Sequence, residues 1–133
     1  MSEPMLLSIV ELGGYPDFTP LYRRLGYRAE KLHSVRKAQA WLKRNSPAVV
    51  VAEFHFDPEL RDRMSNLESL LATLQRFSPQ SRVLVFIERG HRQRLAQVEA
   101  RFPLLGALDY PIEESALETL LAAVADERQN GCC

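Results

Sequence analysis

Between Pro47 and Pro58 the chain reads Pro-Ala-Val-Val-Val-Ala-Glu-Phe-His-Phe-Asp-Pro. Ala48 to Ala52 are small or β-branched apolar residues with no polar alternation. Such a run suits a strand covered on both faces, the centre of a parallel sheet flanked by helices. It ends in an acid, Glu53. In open α/β sheets the working crevice lies outside the carboxyl ends of the central strands, so Glu53 is the first candidate for chemistry.

The rest of the chain supplies partners for that strand. Met5 to Val10, Arg82 to Ile87 and Leu104 to Asp109 are further short apolar runs, each closed by Gly or Pro turn signals. Tyr27 to Leu32 carries Arg28, Glu30 and Lys31 and is polar enough for an edge strand. Helical patterns alternate with these runs. Asp17 or Thr19 can cap a helix that tolerates Pro20 and ends at Gly26, and Ser34 can cap one that runs to about Arg44. After Ser65, the residues Leu67, Leu70, Leu71, Leu74 and Phe77 form an i, i+3, i+4, i+7 stripe. His91 to Phe102 and Glu113 to Glu127 are the last two helices. Five βα units with right-handed crossovers predict a flavodoxin-like, three-layer α/β/α sandwich around a five-stranded parallel sheet of order 2-1-3-4-5. Residues 1–127 form one domain in this reading, and loss of periodicity makes 128–133 a flexible tail.

The charge disfavours nucleic-acid binding. Seventeen Lys plus Arg balance seventeen Asp plus Glu, so nothing draws the whole molecule to nucleic acid or to an anionic membrane. The apolar run at Met5 to Val10 is too short for a signal peptide or a membrane span, and a cytoplasmic location is expected. The only cysteines are Cys132 and Cys133, so no disulfide framework holds the fold.

Several phrases resemble the receiver domain of bacterial two-component response regulators. Pro47 to Glu53 resembles that family's Pro-Asp, apolar run and phosphoacceptor Asp. Tyr110-Pro111-Ile112 is similar to its Lys-Pro-Phe, and Leu25-Gly26-Tyr27 to the exit of its first helix. The resemblance implies a phosphoacceptor position at Glu53, an acidic pair reduced to Glu11 beside Val10 or Leu12, a hydroxyl position at Ile87 or Glu88, a lysine position at Tyr110 and an aromatic switch position at Ala107. Phosphoryl transfer needs a nucleophilic carboxylate, acids that hold Mg²⁺, and donors for the moving charge. A Glu is one methylene longer than Asp, and neither Lys nor Thr stands in support. The resemblance therefore implies a degenerate pseudo-receiver, a protein-interaction module that works without phosphorylation and is not an enzyme. Glu53 is then either a fixed charge that imitates the phosphorylated state or a solvated acid without a role. A receiver phosphorylated at Glu53 or Asp57 is the first alternative, and a flavodoxin-like ligand binder or enzyme using the same crevice is the second.

Other residues extend these expectations. Glu11, Glu53, Asp57 and Glu88 converge at the carboxyl edge in this reading, which permits weak Mg²⁺ binding and no resident cofactor. His33, His55 and His91 have no ligand spacing. Receiver domains pair through the face of the fourth helix, last strand and last helix. Here that face is expected to set Arg92, Arg94 and Arg101 against Glu113, Glu114 and Glu118, as a partner surface or a reciprocal homodimer.

Overall fold

A computed structural model of the chain describes residues 4–10, 17–53, 67–88 and 92–130. Strands and helices alternate: β1 (Met5–Ile9), α1 (Thr19–Arg24), β2 (Arg28–Leu32), α2 (Val35–Leu42), β3 (Val49–Glu53), α3 (Leu67–Phe77), β4 (Arg82–Ile87), α4 (Arg92–Glu99), β5 (Gly106–Asp109) and α5 (Glu114–Asn130). All strand pairs are parallel, and the order is β2-β1-β3-β4-β5. This is the flavodoxin-like sandwich that the alternation of runs and stripes predicts.

The absence of polar alternation in β3 follows from where its side chains go. Val50 and Ala52 join Leu7, Ile9, Val83, Val85 and Ile87 under α2, α3 and α4. Val49 and Val51 join Leu6, Leu84 and Phe86 under α1 and α5. Both faces of β3 are dry, so both parities are apolar. Burying each such side chain contributes roughly 1.5–3 kcal/mol relative to leaving it in water. β2 lies at the edge, where Arg28, Glu30 and Lys31 are exposed, and such charges on an edge strand discourage pairing with another chain.

Helix ends follow their capping residues. Ser34 Oγ accepts the Lys37 N–H at 3.0 Å and starts α2. Gly26, at φ +91°, turns the chain out of α1 in a conformation that other residues resist. The next residue, Tyr27, donates its buried hydroxyl to the Leu121 carbonyl at 2.7 Å and so ties this corner to α5. Gly106 opens β5 where a Cβ would stand 3.1 Å from Leu120 Cδ1, so α5 approaches the sheet closely there.

Two helix ends and one side chain differ from expectation. α4 stops at Glu99 rather than Phe102, because the Arg101 and Phe102 N–H groups both turn back to the Val98 carbonyl and Pro103 disfavours helix at the residue before it. α5 runs on to Asn130, since Ala125, Glu127, Arg128 and Gln129 are good helix formers even where no apolar stripe continues. Phe77 completes the α3 stripe in sequence but stays exposed, at the helix end, with the Arg76 guanidinium 5.1 Å from its ring centre.

Candidate functional site at the carboxyl edge

Register brings the strand ends into line. Ser8 of β1 lies between Lys31 of β2 and Val51 of β3. Glu53 is the last residue of β3, opposite Phe86 of β4, and Ile87 stands opposite Asp109 of β5. Glu53 continues the parity of Val49 and Val51, so its side chain enters the layer beneath α1 and is only 3% exposed. There it lines a pocket of about 120 Å³ with Ser8, Asp17, Phe18, Tyr22, Lys31 and Phe86.

The short segment before α1 shapes this pocket. Asp17 Oδ1 accepts the Thr19 hydroxyl at 2.6 Å and the Thr19 backbone N–H at 3.0 Å, while Lys31 Nζ stands 3.1 Å from Asp17 Oδ2. Those hydrogen bonds from Thr19, reinforced by Lys31, hold the Asp17 carboxyl down to about 2. Asp17 thus turns the chain two residues on in place of a helix cap, and Phe18 takes the cap position without a side-chain bond. The Phe18 ring meets Phe86 edge-on, with centroids 5.9 Å apart and planes at 72°. Burial, with the Asp17 charge beside it, pushes the Tyr22 phenol well above its ordinary value, so it remains a neutral hydroxyl. A wider depression of about 450 Å³ opens outward between α1 and β2. It shares Ser8, Asp17 and Lys31 with the Glu53 pocket and adds Thr19, Arg23 and Glu30.

The β4–β5 half of the edge has a different chemistry. Ile87 is fully buried in the layer beneath α2, α3 and α4, and Ala107 packs on the same layer. Tyr110 follows β5 with a cis bond to Pro111, donates its N–H to the Ile87 carbonyl at 2.8 Å and is 47% exposed. Arg92 clips α4 to β5: its Nε donates to Asp109 Oδ1 at 2.9 Å and its Nη2 to the Ala107 carbonyl at 3.1 Å.

Of the expected acidic cluster, Glu53 is buried and Glu88 exposed, while Glu11 and Asp57 lie outside the described residues. Among the described residues no group of three His, Cys, Asp or Glu side chains could hold a metal ion. No described helix is long and apolar enough to cross a membrane. Cys132, Cys133 and the Arg94 side chain also lie outside the described set. The charges expected to face one another across α4 and α5 pair elsewhere. Arg101 lies 3.7 Å from Glu68 of α3, and Arg24 of α1 lies 3.9 Å from Glu114 and 3.5 Å from Glu118. Glu113 is exposed. Among the described residues no ion pair joins α4 to α5, because α5 packs with α1 on one face of the sheet and α4 with α3 on the other.

Sequence reasoning passed over Ser8, Phe18, Lys31 and Phe86. Ser8 was the available signal, as the one polar residue inside an apolar run.

No protein-family model and no curated protein matches the chain. Solved structures do match it. A response regulator receiver domain from Clostridium thermocellum aligns with TM-score 0.74 and 16% identity, covering 95% of this chain and 97% of that one. A sensor protein from Polaromonas sp. JS666 aligns with TM-score 0.67 and 22% identity over 93% and 97% of the two chains. A response regulator from Burkholderia pseudomallei with a phosphorylated aspartic acid, calcium ion and citrate aligns with TM-score 0.62 and 19% identity, over 98% of this chain and 74% of that one. Likeness at such identities establishes the receiver fold, and function is argued from residues.

Proposed function

We propose that this chain is a receiver-fold regulatory module that acts by contact with a signalling protein and takes no phosphoryl group. The observation that carries the proposal is Ile87. Where the receiver resemblance places a hydroxyl donor, this chain has an alkyl group fully buried in the core beside α3 and α4. Phosphoryl transfer is catalysed almost wholly by positioning and by donors aimed at the developing charge. Ile87 and Ala107 bring no side-chain donor, and the half-exposed Tyr110 brings a phenol in place of an ammonium. Glu53 supports the same reading from the other half of the edge, since a buried carboxylate beneath Phe18 and Phe86 is poorly placed to meet a phosphoryl donor. The Arg92 bonds to Asp109 and Ala107 favour one arrangement of α4 against β5. The α4–β5–α5 surface is the contact face in this reading, for a protein partner or a second protomer.

Incubation with Mg²⁺ and acetyl phosphate, followed by intact-mass measurement, tests the proposal. The expected spectrum is that of the unmodified chain. A stoichiometric phosphoryl adduct mapped to Glu53 or Asp57 would overturn it and establish a receiver with an unorthodox acceptor. A second reading, a small-ligand binder, is favoured by one observation: the 450 Å³ depression beside β2 falls within the roughly 300–1,000 Å³ of small-molecule sites. Saturable shifts of Ser8, Thr19 and Lys31 amides on titration with a flavin or a nucleotide would favour that reading.

A further inference from the structure

The geometry points to a strap, Asp17-Phe18-Thr19, that fastens across the carboxyl edge from β2 to β4 and closes the pocket over Glu53. Neighbouring strands lie about 4.8 Å apart, so β2 and β4, with β1 and β3 between them, are separated by roughly 14 Å. Three extended residues reach only about 10 Å, and side chains make up the difference. Lys31 reaches in from β2 to meet Asp17 at 3.1 Å, and the Phe18 ring reaches out to Phe86 on β4. Beneath the strap lie Ser8 and Glu53, on β1 and β3, both nearly removed from solvent.

The two fastenings differ in kind. Asp17 and Lys31 are both partly exposed, and such pairs are weak and screened by salt. Phe18 is held by an edge-on aromatic contact of modest strength. Thr19 closes a local loop through its own two bonds to Asp17, so the three residues move as a unit with the start of α1. The strands below are held by ladder hydrogen bonds and dry side chains on both faces. Local opening of the strap therefore costs less than opening of the sheet. Among the described residues, access to Glu53 is set by this strap, whether or not the chain ever meets a phosphoryl donor.

Coupling of carboxylates to glycine ethyl ester with a water-soluble carbodiimide, read by peptide mass spectrometry, tests the strap directly. The variants are Lys31→Ala, which removes the ionic fastening, and Phe18→Ala, which removes the aromatic one. Hydrogen exchange of the Val50 and Val51 amides reports in parallel whether β3 stays folded, and Glu113 serves as an exposed reference. The expected result is slow labelling of Glu53 in the parent chain. Labelling rises about fivefold in Phe18→Ala and by a smaller factor in Lys31→Ala, with β3 protection retained. Glu53 labelling that is unchanged in both variants would overturn the strap. So would labelling that rises only in step with β3 exchange, since access would then follow from unfolding of the sheet.

Discussion

The two halves of the carboxyl edge are built from the same βα units but end in opposite chemistry. On the β1–β3 side Ser8 and Glu53 are polar and buried beneath Phe18, with Asp17 and Lys31 partly exposed at the rim. On the β4–β5 side the inward positions are alkyl, at Ile87 and Ala107, and charge is confined to the rim where Arg92 meets Asp109. A phosphoryl site needs both halves at once, an acid on one and donors on the other. In the proposed reading the departure from receiver chemistry lies mainly in the donors, because an acid remains at Glu53.

The substitution expected to disturb this division most is Ile87→Thr, which returns a hydroxyl to the β4 end. In an alkyl environment the hydroxyl goes unmatched and a methyl group is lost, so stability should fall by roughly 2 kcal/mol, measured as a shift in urea midpoint. A gain in stability would mean that the β4 end has a partner ready for the hydroxyl, and the contrast between the halves would weaken. Phe18→Ala tests the covered half and should cost about 1 kcal/mol, mostly lost contact with Phe86.

Arg92→Ala should cost less than about 1 kcal/mol, because its pair with Asp109 is solvent-exposed, and the loss should shrink as salt is raised. A larger loss, insensitive to salt, would assign Arg92 a structural weight equal to the apolar core.

The smallest effect concerns pH. The folded Asp17 carboxyl lies near 2, below its ordinary 3.8. Its stabilising contribution is therefore full above the ordinary value and is lost as pH falls through the folded one. The stability difference between the parent and Asp17→Asn should be constant above about pH 5 and vanish towards pH 2. A carboxyl titrating near 3.8 by NMR would show that Thr19 and Lys31 do not engage it in solution.

Much of the fold was written in local pattern. The unbroken apolar run of β3 demands two covers, and the α3 stripe and the cap at Ser34 are read within a single turn of helix. Glu53 was legible for the same reason, as the residue after a central strand. Its surroundings were not. Asp17 reads as a helix cap until β2 places Lys31 beside it, and Phe18 reads as a loop aromatic until register places Phe86 at the end of β4. Likewise nothing local in α4 shows that Arg92 and Arg101 meet acids on β5 and α3 of their own chain. Contacts between residues distant in sequence carry no periodic signal, and Asp17 with Lys31 and Phe18 with Phe86 are such contacts.

The central proposal is that the edge keeps an acid at Glu53 while Ile87 and Ala107 bring no side-chain donor and Tyr110 a phenol in place of an ammonium, so that it holds no phosphoryl group. Amide NMR spectra recorded with Mg²⁺ before and after addition of beryllofluoride test it most directly. The account predicts no saturable shifts at Glu53, Ile87, Ala107 or Tyr110. Shifts that saturate and cluster at those four residues would contradict it, since they would mean that the edge binds a phosphoryl mimic after all.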